Sequence, residues 1–156
     1  MTQVANLLAA LKEEQASLQS FVELLRQEQK MLTEGSIDGL LELAEKKSNH
    51  ALKIYKVAEA RHRLLQGLVS ELTAQNIQNW LEKNSRESLG LWQSIRILGD
   101  QAQELNRING ELIQAKLRHN QQLLGALSRA VNQASLYGPN GQTSFPGGSG
   151  RSLGMG

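Results

Sequence analysis

The sequence predicts an all-α protein: a long antiparallel helical hairpin or coiled-coil bundle of three long helices plus one short helix, followed by a flexible C-terminal tail. Three observations carry that expectation. Leucine is the commonest of the 156 residues, at 27, and glutamine with asparagine adds 26, whereas the β-branched and aromatic residues that suit strands are scarce and no run alternates with period two. Both prolines, Pro139 and Pro146, lie in the last eighteen residues, so nothing before them must break a helix. Apolar residues also recur at alternating spacings of three and four, the pattern of a coiled-coil seam. The bundle is expected over residues 1–133 and the tail over 134–156.

The first helix is expected from about residue 3 to about residue 33. Val4, Leu11, Leu18, Leu25 and Leu32 repeat every seven residues, and Leu7, Leu8, Phe21 and Val22 fill the same side. Gly35 supplies the left-handed residue that commonly follows a helix, and Ser36 is a candidate cap for the second. In that second helix the series Ile37, Leu41, Ala44, Ser48, Ala51, Tyr55, Ala58, His62, Leu65, Val69 and Leu72 keeps a four-three spacing. Its alanines predict a thin, closely spaced hairpin. Thr73 or Asn76 is placed to cap a short third helix holding Ile77, Trp80 and Leu81. Asn84 and Ser85 then give a turn and a new cap before a long fourth helix over about 86–133. Gly90, Gly99, Gly110 and Gly125 each cost that helix about 1 kcal/mol against alanine, so it needs packing partners. The tail has seven glycines and both prolines in 23 residues, a composition unsuited to a packed core.

Several function classes are excluded by what is missing. There is no cysteine, hence no disulfide framework, thiolate metal site or thiol nucleophile. His50, His62 and His119 have no carboxylate partner at metal-ligand spacing, and the glycine-rich GPNG and GGSG stretches lack the strand and helix that give such loops phosphate-binding meaning. The expectation is therefore no enzyme and no cofactor. The start, MTQVANLLAALKEEQ, has neither the basic beginning nor the cleavage site of a signal peptide, and no window approaches the roughly 20 apolar residues of a membrane span. A cytoplasmic protein without stable membrane insertion is expected.

Charge is unevenly distributed along the chain. The formal net charge is +2, yet Glu111 is the last acid; beyond it come only Lys116, Arg118, Arg129 and Arg151. These cations are too dilute, and too poor in interleaved aromatics, for a nucleic-acid footprint. In the same region the apolar face of the fourth helix widens. One stripe, Leu112, His119, Leu123, Ala126 and Ala130, is joined by a second, Ile113, Leu117, Leu124, Leu127 and Val131. Such a face suits a groove for an amphipathic helix from another chain. Coverage by the chain's own helices remains the alternative, as does a structural coiled-coil oligomerisation or adaptor protein whose wide stripe is an oligomer interface.

Particular motifs narrow the choice. Asn106-Arg-Ile-Asn109-Gly110-Glu-Leu112-Ile113, then Asn120-Gln-Gln-Leu123, resembles the Asn-Gly-containing long helix of the FlgN-type flagellar export chaperones. Leu136-Tyr137-Gly138-Pro-Asn-Gly141-Gln142-Thr143-Ser144 resembles the short sequence that ends their helical region; Glu45-Lys46-Lys47-Ser48 resembles part of their second helix, and Trp80 their isolated tryptophan. The resemblance implies a cytoplasmic chaperone for the hook-filament junction proteins FlgK and FlgL, bound through their C-terminal helical segments before type III export. It implies a second partner, the export-gate protein FlhA, docked by Leu136, Tyr137 and Gly138. Cargo lining is expected among Ile108, Leu112, Ile113, Leu117, Leu123, Leu124, Leu127 and Val131, with self-association in the absence of cargo left open. The extension from Phe145 to Gly156 supports no assignment beyond a spacer.

Overall fold

Helix formation follows the expected boundaries closely, except in the second helix. In a computed structural model, which describes residues 2–36 and 38–135, with side chains except at Leu123 and residues 130–135, the elements are α1 (Thr2–Glu34), α2 (Leu40–Gln66), α3 (Ala74–Asn84) and α4 (Arg86–Ser135). There is no strand among the described residues. The chain divides into two units, residues 1–105 and 106–156.

The helix ends are chemically specified. Gly35 takes φ 75° and the Ser36 amide donates to the Met31 carbonyl at 2.9 Å, a Schellman-type closure of α1. Ser36 therefore ends the first helix and does not cap the second. Gly39, at φ 90°, occupies the N-cap of α2 without a side-chain bond. The Thr73 hydroxyl accepts from the Asn76 amide at 3.1 Å and opens α3, and the Ser85 hydroxyl accepts from the Ser88 amide at 3.2 Å and opens α4. The second helix is shorter than its pattern suggested: Gly67 closes it, so Val69 and Leu72 belong to the connection into α3. Within α4, a Cβ built at Gly99 meets nothing within 4 Å, so the expected result of Gly99→Ala is a gain of about 1 kcal/mol by urea unfolding.

In the first unit, α1 supplies the central ridge. Leu7, Leu11 and Leu18 are buried with Leu65 from the end of α2, Val69 of the connection that follows it, Ile77 and Leu81 of α3, and Trp92 and Ile95 of α4. Further along, Val22 and Leu25 bury against Ala102, flanked by Phe21, Leu98 and Leu105. The Lys12–Glu87 ion pair at 3.6 Å, the Gln15–Ser94 hydrogen bond at 2.8 Å and the Val22–Ala102 packing advance together along both chains, so this part of α4 runs parallel to α1. The α2 helix runs antiparallel to α1.

The α1 seam forms as its heptads predict, with two insertions that hydropathy alone passes over. Glu14 and Glu28 are buried on it. Arg61 of α2 donates from Nε to Glu14 at 2.8 Å, and Lys47 reaches Glu28 at 3.1 Å. Two heptads separate the acids and two heptads separate the bases, so a single antiparallel register satisfies both pairs. Arg61 also lies over the Trp92 ring, 5.2 Å from its centroid, a cation–π contact that ties α1, α2 and α4 together through one guanidinium.

These pairs overturn the expected face of α2. Its packed line is Leu40, Leu43, Lys47, His50, Ile54, Val57, Arg61 and Leu64, all buried or half-buried. The expected line sits one residue away, and much of it faces solvent: Leu41 is 82% exposed, and Ala44, Ser48, Ala51, Tyr55 and His62 are exposed as well. Both lines keep the four-three spacing. The expected one has fewer charges, but the acids on α1 select the line that carries Lys47 and Arg61. The alanines at 44 and 51 consequently have no part in drawing α1 and α2 together.

Candidate docking face

The second unit begins at Asn106 and its described part is helical to Ser135. An α-helix advances about 100° per residue, so side chains at spacings of four and three return to one side. Ile113, Leu117, Leu124 and Leu127 do so, and they are exposed by 37, 46, 55 and 62% respectively. Isolated exposed leucines are ordinary on any surface, whereas four large apolar side chains on one side of a helix over four turns make a candidate interaction face. Asn120 stands in the middle of this line and is exposed too.

The other expected lining residues fall elsewhere. Ile108 and Leu112 are half-buried, roughly 100° or more around the helix from Ile113. The side chains of Leu123 and Val131 lie outside those described, and so do Leu136, Tyr137 and Gly138 altogether. Within the motif that carries the family resemblance, Asn109 is fully buried, while a Cβ at Gly110 meets nothing within 4 Å, so Gly110 is not required by a close approach. Of the two stripes read from the sequence, then, the one through Ile113 and Leu127 is presented to solvent, and His119 and Ala126 of the other are exposed beside it.

One cation stands beside the line, while the other two on this stretch project from the far side of the helix, roughly 140° or more away. Lys116 lies on its flank, and Arg118 and Arg129 are exposed on the same stretch of helix. Arg107 is bonded to Glu111 at 2.7 Å, one turn apart. Hydropathy ranking missed Asn120 because it scores the amide as surface; its position in the four-three series was the available signal.

A different depression occurs in the first unit, a cleft of about 140 Å³ lined by Glu13, Ala16, Ser17 and Ser20 of α1 and His50 and Lys53 of α2. It is well below the roughly 300 Å³ of ordinary small-molecule sites. Among the described residues no group of three His, Asp or Glu side chains is placed to hold a metal, and no helix is long and apolar enough to cross a membrane.

Comparison with known proteins follows the same line of evidence. The family model described as FlgN protein matches residues 1–144, which includes the whole of the exposed line and the Leu136-Tyr137-Gly138 motif. The chain belongs to the FlgN family. The chain is 29% identical, over 146 residues, to the flagella synthesis protein FlgN of Escherichia coli strain K12, and the alignment covers 92% of each. No solved structure gives a significant match. Membership of the FlgN family thus rests on the full helical length and not on heptads alone, which many unrelated coiled coils share.

Proposed function

We propose that this FlgN-family chain is a cytoplasmic chaperone for type III flagellar export. Its cargo is the C-terminal helical segments of the hook-filament junction proteins FlgK and FlgL, which it keeps from premature assembly. Cargo docks on the second half of α4 at Ile113, Leu117, Leu124 and Leu127, with Leu123 and Val131 completing the lining. Leu136, Tyr137 and Gly138 dock the loaded chaperone on the export gate, FlhA. The observation that carries this reading is the exposed line of four large apolar side chains, interrupted by Asn120, in a chain of this family. An amphipathic helix placed in such a line hides its own apolar face, the one through which it would otherwise assemble.

The division of labour follows from chemistry. Apolar burial is strong but weakly directional, which suits a surface that accepts two related cargoes. A tyrosine offers a large apolar ring with a polar edge, a common anchor at interfaces.

Calorimetric titration with a C-terminal peptide of FlgK tests the cargo site. Half-exposed leucines gain about 1–1.5 kcal/mol each when covered, so Leu124→Asp with Leu127→Asp should weaken binding at least about thirtyfold. Thermal unfolding should stay unchanged. Unaltered binding by the double variant sinks the assignment. Tyr137→Ala should weaken association with the cytoplasmic domain of FlhA at constant peptide affinity; equal loss of both would mean that Tyr137 packs within the fold.

A further inference from the structure

We infer that the exposed part of α4 is a conditional helix: between Ile113 and Arg129 it opens readily in the free chain and closes under a partner, and Gly125 sets the balance between the two states. The opening concerns the free chain alone; its coupling to cargo rests on the docking reading above. Burial along α4 ends with the packed seam. Ser88, Trp92, Ile95, Ala102 and Asn109 are buried and hold the first part of the helix by their contacts. From Ile113 to Arg129 every residue whose side chain is described is exposed, except Gly125 and Ser128, which are half-buried. Most helical stability in proteins comes from a packed apolar face, and the described side chains of this stretch have none. Ion pairs do not replace it. Arg107 reaches Glu111 one turn on, but no acid follows Glu111, so no i, i+4 ion pair is available beyond it. What remains is intrinsic propensity. Because the packed part already supplies the nucleus, the helix continues past Leu112 one residue at a time, each step nearly balanced.

Gly125 tips that balance. Glycine lowers the helical weight of a position about fivefold relative to alanine, and the helix beyond it depends on that step. No local geometry demands it: a Cβ there meets only the Arg129 Nη1, at 3.7 Å, an ordinary contact with the end of a flexible side chain. Nor does it serve the close approach of a partner, since it stands roughly 120° around the helix from the line through Ile113 and Leu124. A helix laid on Leu124 and Leu127 must first recover the closed state, and that cost subtracts from its affinity. The cost is the same for any helix that covers the line, a second copy of this chain included. For a chaperone that hands its cargo on, an apolar grip weakened in this way holds without locking.

Hydrogen exchange of the full-length chain, read at low and at high protein concentration, tests the opening. Amides of residues 115–129 should exchange at least about a hundredfold faster than those of residues 92–108, and the C-terminal peptide of FlgK should slow them at least about tenfold. Gly125→Ala should slow them without peptide and tighten peptide binding about three- to fivefold, with the urea midpoint unchanged. Gly99→Ala should do the opposite, shifting the midpoint at constant peptide affinity. Equal protection of both stretches in the dilute free chain overturns the opening. Protection that rises with protein concentration alone means that a second copy closes the helix, and overturns the coupling to cargo. Fast exchange with peptide affinity unaltered by Gly125→Ala overturns the role of Gly125. A peptide that does not bind sinks the docking reading and the coupling together, whereas the exchange rates of the free chain still decide the opening.

Discussion

Arg61→Ala is expected to destabilise the helical bundle by about 3–5 kcal/mol, the characteristic cost of removing one partner from a buried ion pair. Glu14 is 3% exposed, and its Oε1 lies 2.8 Å from the Arg61 Nε. Alanine leaves that carboxylate without the guanidinium, in a place that water reaches poorly, and it also removes the cation over Trp92. The deficit is a desolvation penalty and not the worth of the pair itself. Glu14→Leu combined with Arg61→Leu should therefore recover most of the loss, since apolar side chains of similar bulk fill the seam without a charge to solvate. Urea unfolding followed by circular dichroism measures both. A double variant no more stable than Arg61→Ala would show that the guanidinium acts by packing alone.

Leu11→Ala is expected to cost about 2–5 kcal/mol by the same measurement. Leu11 is 1% exposed and belongs to the cluster in which α1, α2, α3 and the start of α4 meet, so the removed methyl groups leave a cavity that four helices would have to collapse upon. The contrast with Leu127→Ala gives the comparison its force. Leu127 is 62% exposed, and its truncation should change stability by no more than about 0.5 kcal/mol. A chain in which both substitutions destabilised equally would have Leu127 in its own core, and the docking face would lose its basis.

Different parts of this molecule were legible in the sequence to different degrees, for identifiable reasons. The helix ends were readable because local chemistry decides them: Gly35 relieves the left-handed turn, Thr73 and Ser85 satisfy orphan amides, and these requirements involve only a few neighbouring residues. The α1 seam was readable because its apolar residues outnumber the two acids on it. The exposed line of α4 was half readable. Two adjacent stripes carry comparable apolar content, and periodicity cannot say whether either is covered, since that depends on what lies next to the helix; His119 and Ala126 of the second are exposed as well.

The sequence by itself determined the all-α class, four helices, most of their boundaries, the family resemblance and the region of the widened apolar face on the fourth helix. Each follows from residue type and spacing along the chain. Only the tertiary structure decided which side of α2 faces inward. Two lines one residue apart, through Leu41 and Tyr55 or through Leu43 and Val57, have the same period, and a shift of one residue turns the helix by about 100°. The choice belongs to Glu14 and Glu28 on another helix, which hold Arg61 and Lys47 in the seam. A charged side chain has no fixed place in a hydropathy pattern, because whether it is buried depends on where its counter-charge stands.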